Sequence, residues 1–139
     1  YLQHVMKEFP KGRFLVAGHS KGGNLATYAC SYLPDSLFER VDAIYSYDAP
    51  GLNRAIIETE GYQRTSPNIL RFVPQGSIVG MMLEVPEPAT IVKSRAFGGF
   101  VQHDAFTWMI EKDKFVTLDQ TSPDSQQTDE TLKQWVRET

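Results

Sequence analysis

The sequence predicts an α/β fold with a mainly parallel sheet and helices on both of its faces. Short apolar runs at 13–18, 41–49 and 68–73 have strand length. Segments with helical spacing separate them. The order helix, strand, helix, strand, helix, strand makes successive strands parallel, joined by right-handed crossovers.

Each element follows from its residues. "YLQHVMKEF" places Leu2, Val5, Met6 and Phe9 at helical spacing, and Pro10 stops that helix. "RFLVAG" is nearly all apolar, as expected of a strand buried on both faces. "GNLATYACSYL" reads as a helix ended by Pro34, "VDAIYSYDA" as the second strand and "NILRFV" as the third. "GLNRAIIETEGY" reads as one helix between those two strands. "SIVGMML" is a short helix or loop, and "AFTWMIEKDKF" is expected to be a helix after His103. "TSPDSQQTD" is rich in turn formers and reads as a linker or exposed loop. "DETLKQWVRET" closes the chain as an amphipathic helix with Leu132, Trp135 and Val136 on one side. Residues 1–118 thus form the core, and residues 119–139 a polar linker and last helix of the same domain. Three parallel strands make a thin sheet with open edges. Further strands are therefore expected ahead of Tyr1, which would make this the C-terminal part of a larger fold. The open edges would also permit a homo-oligomer.

Composition narrows the function. Of 139 residues, 41% are hydrophobic and 22% charged, which are globular values. The net charge of -3 argues against a nucleic-acid partner. No apolar run approaches the roughly 18 residues of a membrane helix, so a cytoplasmic protein without a stable membrane span is expected. Cys30 is the single cysteine and lies on the apolar side of its helix, where a buried, inert thiol is expected. Three histidines and no cysteine pair offer no zinc site, so neither metal nor cofactor is expected.

The informative stretch is "GHSKG", residues 18–22, which fits G-x-S-x-G between a buried strand and a helix. That strand–turn–helix setting is what a nucleophile elbow requires. The elbow holds its serine, here Ser20, in a strained backbone conformation at the tip of the strand. Crowding at the turn excludes side chains, which explains glycine at Gly18 and Gly22. The backbone N–H of Lys21 then points into the site from the positive end of the following helix, as an oxyanion donor. The competing reading is a phosphate-cradling or structural turn. A Walker-type loop needs Lys-Ser or Lys-Thr after its last glycine, where this chain has "GGNL". A dinucleotide fingerprint needs G-x-G-x-x-G, which is absent.

"VAGHSKGGNLATYA" resembles the elbow of lipase-type α/β-hydrolases. With Lys21 after the serine, and with "YSYDAPG" and "QHDAFTW" downstream, the chain is more similar to a bacterial α/β-hydrolase-like family of unassigned function, a distant relative of the class-three, fungal-type lipases. The resemblance spans roughly residues 1 to 115 and implies the C-terminal part of an α/β-hydrolase fold. It also implies an esterase-type serine hydrolase.

In such enzymes the triad follows the chain order nucleophile, acid, histidine. A free serine hydroxyl is a weak nucleophile and needs a base. His4 lies upstream, and His19 adjoins the serine with its side chain expected to point away from the site. That leaves His103, on a loop before a helix. The acid is less direct. Class-three lipases carry Asp-Ile-Val after the third strand, where this chain has Ser77-Ile78-Val79. Asp48, after the strand next to the nucleophile's, is the best substitute. Asp104 beside His103, or a Ser–His dyad without an acid, are the alternatives, and a turn role for Asp48 is the competing structural reading. A second oxyanion donor is expected from a loop ahead of Tyr1.

The expected chemistry is acyl transfer to water through an acyl-serine, on an ester, lipid or thioester. The apolar "SIVGMMLEVPEPATIV" could line an acyl pocket or belong to the core. The alternative in another class is a hydrolase-fold interaction module without catalysis, to which the missing acid after the third strand points. A nucleotide-binding module is the third reading.

Overall fold

The computed structural model describes residues 1–138, without the side chains of Val136 and Arg137. Strands β1 (Phe14–His19), β2 (Val41–Tyr47), β3 (Ile69–Pro74) and β4 (Ala89–Val92) pair in parallel in that order. Strands β5 (Ile110–Glu111) and β6 (Lys114–Phe115) form a separate hairpin, and β7 (Thr117–Leu118) closes antiparallel on β4. The fold is therefore α/β with a mainly parallel five-stranded sheet, order β1-β2-β3-β4-β7.

The helices are α1 (Leu2–Glu8), α2 (Lys21–Ser31), α3 (Asp35–Phe38), α4 (Arg54–Ile57), α5 (Glu60–Thr65), α6 (Gly99–Gln102) and α7 (Pro123–Glu138). Helix α2 packs on β1 and β2, and α5 packs on α2. The core between helices and sheet contains Met6, Ala26, Cys30, Leu33, Phe38, Val41 and Ile44, with Phe14, Val16 and Ile69 packed against it. Register places Ile44 beside Ile69 on this face, and Tyr45 beside Leu70 and Tyr47 beside Phe72 on the other. There the Tyr47 and Phe72 rings lie 5.4 Å apart, and Phe115 from the hairpin and Trp108 just ahead of it join them. No helix among the described residues is long and apolar enough to cross a membrane.

Four elements differ from the sequence reading. β1 is not buried on both faces: Leu15 is 65% exposed, because β1 is an edge strand whose second face lacks cover among the described residues. "GLNRAIIETEGY" is two helices, because Thr59 begins a new one, its hydroxyl accepting from the Tyr62 N–H at 3.2 Å. "AFTWMIEKDKF" is a single 3-10 turn followed by the β5–β6 hairpin, reversed at Lys112, whose φ is 57°. The linker reading of "TSPDSQQTD" gives way to α7, which starts at Pro123, a residue suited to the first helical position. The expected apolar side of that helix includes the Val136 side chain, which lies outside the described residues.

Candidate active site

The site is built at the carboxyl ends of β1, β2 and β3, where ligands bind in open parallel sheets. Ser20 connects β1 to α2 with φ 56° and ψ -131°. A non-glycine residue held there costs about 1–3 kcal/mol, which the surrounding structure must over-determine. Part of that restraint is visible: the Ser20 N–H donates to the Tyr47 carbonyl at 2.9 Å, and the Ser20 carbonyl accepts from the Gly23 N–H at 3.0 Å. A Cβ on Gly18 would lie 2.2 Å from the Gly22 backbone, so the turn closes only over glycine. Gly22 itself is not crowded: a Cβ there meets nothing within 4 Å. The steric expectation for Gly22 is thus corrected. Its backbone, not its missing side chain, is what Gly18 meets. The second crowded glycine is Gly23, where a Cβ would stand 2.6 Å from Ala49 Cβ. The Lys21 N–H is at the first position of α2, where the helix dipole is positive.

Asp48 follows β2 directly and also has positive φ, 43°. Aspartate tolerates that region better than most residues. The Asp48 N–H donates to the Phe72 carbonyl at 2.8 Å, and Asn24 ties α2 to the same turn through the Gly51 carbonyl at 2.5 Å. The carboxylate is fully buried. Its Oδ1 accepts from Ser77 Oγ at 2.5 Å and from the Gly80 N–H at 3.0 Å. Its Oδ2 lies 2.7 Å from His103 Nδ1. A carboxylate oxygen can only accept here, so Nδ1 carries the proton and Nε2 offers its lone pair. Asp104 takes a different part: its side chain accepts from the Phe106 N–H at 3.0 Å and caps the 3-10 turn. His4 pairs with Glu8 on α1, away from the site.

The Ser20 hydroxyl makes no hydrogen bond with the His103 ring, nor with any other group among the described residues. In substrate-free sites such contacts are commonly longer than in the reacting complex. His103 is nonetheless held at the elbow by His19. The two imidazole rings are 4.5 Å apart, and His19 Nε2 lies 2.7 Å from the His103 carbonyl oxygen. The expectation that His19 points away is overturned. Alternation along β1 sends its side chain to the sheet face opposite α2, where the histidine segment comes down.

Sequence reasoning also missed the support of Asp48. A Cβ on Gly80 would stand 2.5 Å from Asp48 Oδ1, so only glycine lets this backbone N–H reach the carboxylate. A glycine inside the apolar run "SIVGMM" is the signal for such an approach. The Gly80 carbonyl accepts from the guanidinium of Arg71, which also donates to the Glu87 carbonyl at 3.4 Å. Burial pushes the Arg71 guanidinium below its ordinary pKa, while Glu87 and Asp48 pull it back up. Gln102 ties the histidine loop to the turn after β3, its Oε1 accepting from the Gly76 N–H at 2.8 Å. Among the described residues no cluster of His, Cys, Asp or Glu is arranged to hold a metal ion.

Comparison with known families agrees with this architecture. Residues 1–139 match the model of the family described as Mbeg1-like. No curated protein matches the chain. The chain belongs to the Mbeg1-like family, a lipase-related α/β-hydrolase family.

Proposed function

We propose that this Mbeg1-like chain is a serine hydrolase of esterase or lipase type. The observation that carries the reading is the Asp48–His103 hydrogen bond of 2.7 Å, next to a serine held at positive φ. Strain and convergent buried polar groups of this kind gather at functional sites.

In this reading Ser20 Oγ attacks the carbonyl carbon of an ester while its proton passes to His103 Nε2. Asp48 Oδ2 holds Nδ1–H and offsets the imidazolium charge. The Lys21 N–H meets the oxyanion of the tetrahedral intermediate. His103 returns the proton to the departing alcohol, leaving an acyl-serine. A water then gives its proton to His103 and its oxygen to the acyl carbon. Collapse releases the acid and restores Ser20. An acyl substrate is supported by the apolar side chains exposed on the segments around Asp48 and His103: Leu83, Phe97, Phe100, Val101 and Phe106.

The test is covalent labelling by a fluorophosphonate probe. Ser20 is expected to label, Ser20→Ala to abolish labelling, and His103→Ala to slow it by roughly 100-fold or more, as loss of a general base does. An unlabelled wild-type protein would end the reading. The second reading, a catalytically inert interaction module, is favoured by the missing hydrogen bond between the Ser20 hydroxyl and His103 among the described residues. It predicts that no probe reacts at Ser20.

A further inference from the structure

We infer that His19 is a positioning residue for this reaction, holding the backbone of His103 against the nucleophile's strand. The inference rests on the serine hydrolase reading above.

The segment that carries His103 is lightly anchored. It runs through Gly98, with φ 84°, and Gly99 into α6, a helix of one turn. Phe97, Phe100 and Val101 on it are 92%, 76% and 57% exposed. Its fixed points are few. Gln102 is buried, accepts from the Gly76 N–H and donates to the Ala96 carbonyl at 3.0 Å. The Trp108 indole donates to the Gln102 carbonyl at 2.8 Å. Asp48 grips the His103 ring from the far side of Nδ1. None of these bonds connects the histidine to β1, the strand that leads into Ser20.

His19 supplies that connection. It is the last residue of β1 and the neighbour of Ser20. A carbonyl oxygen can only accept, so His19 Nε2 carries the hydrogen and donates it to His103 O at 2.7 Å. That carbonyl lies at the end of α6, where helical carbonyls lack partners, and it receives no other hydrogen bond among the described residues. The His19 ring also lies beside the His103 ring at 4.5 Å. Asp48 fixes one point of the His103 ring, and His19 restrains the backbone from which the ring hangs. Together they set where Nε2 stands relative to Ser20 Oγ.

The test uses the full chain, turnover of p-nitrophenyl butyrate and the fluorophosphonate probe. His19→Ala is expected to lower kcat about 10-fold with KM nearly unchanged, inside the ~100-fold range of ångström-scale misplacement. His19→Gln, whose amide N–H stands close to the imidazole Nε2, is expected to recover most of the loss. His19→Phe, which keeps a ring but no donor, is expected not to. Wild-type kcat in His19→Ala, or equal kcat in His19→Gln and His19→Phe, would overturn the inference. A second readout is independent of turnover. Long-range nitrogen–proton spectra of the histidine rings are expected to show the Nε2–H tautomer at His19, and the Nδ1–H tautomer there would also overturn it. A wild-type protein that neither labels nor turns over would sink the hydrolase reading, while the tautomer still decides whether the tie exists.

Discussion

The two ends of the parallel sheet differ in how their polar groups are used. At the amino ends of the strands lies a cavity of about 560 Å³, lined by Arg13, Asp35, Phe38, Asp42, Arg64 and Asn68. Four of its charged side chains pair with one another, while Glu39, also in its lining, has no ion pair among the described residues. Arg13 pairs with Asp42, and Arg64 pairs with Asp35 while stacking on Phe38 at 4.3 Å. Backbone strain is absent from these lining residues. The carboxyl ends, where Ser20 lies, do not follow that pattern. Instead there are two residues at positive φ, a fully buried carboxylate with three donors and a histidine with a free ring nitrogen. Volume therefore marks one end of the sheet. Strain and convergence, which cost stability, mark the other.

The contrast can be broken most directly at Asp48. Asp48→Asn is expected to lower kcat about 10,000-fold, the effect of leaving a catalytic histidine in the wrong tautomer. Circular dichroism would establish that the variant is folded, and near-normal turnover would make the buried carboxylate structural only. A sharper test compares two glycines of one turn. Gly18→Ala is expected to abolish fluorophosphonate labelling and to lower the melting temperature, because the new Cβ meets backbone at 2.2 Å. Gly22→Ala is expected to keep labelling and to raise stability by up to about 1 kcal/mol, since alanine favours the helix that starts there.

At the opposite end, Arg13→Ala is expected to leave kcat and KM unchanged and to move the melting temperature little. Its bridge to Asp42 is exposed on both sides, and such pairs contribute little. A loss of turnover there would show that the two ends are coupled. The smallest effect at neutral pH concerns Cys30, whose thiol burial raises to about 11, with Arg64 only partly opposing. The folded value lies above the unfolded one, so the stabilisation is complete below the ordinary thiol range. It is lost as pH rises toward 11. Melting temperatures between pH 8 and 11 should fall more steeply in wild type than in Cys30→Ala.

What was legible in the sequence follows the reach of local signals. Strands β1 to β3 are apolar runs bounded by turn formers, and the G-x-S-x-G turn announces itself by its glycines. Strand β4, "ATIV", is only four residues, and despite the Pro86 and Pro88 that bound it, so short an apolar run does not stand out as a strand. The segment 105–115 carries apolar residues at helical spacing, yet the turn at Lys112 and the packing of Trp108 on Phe115 make a hairpin. Tertiary contacts override spacing there. In the site, chain order and the family resemblance point to His103, and to Asp48 as the substitute acid. The parts of Ser77 and His19 depend on register between strands far apart in sequence, and Gly80 is marked only as a glycine inside an apolar run. That register also explains why Ser77, at the position where an acid was sought, donates to Asp48 instead.

The dispersal of these groups has a kinetic consequence. Asp48 meets Ser77 across 29 positions, Gly80 across 32 and His103 across 55. Parallel strands cannot pair until a whole crossover has been closed, and contacts of such sequence separation form slowly. During refolding, helical signal should return well before any reactivity at Ser20. The delay between the two would time the last step of assembly.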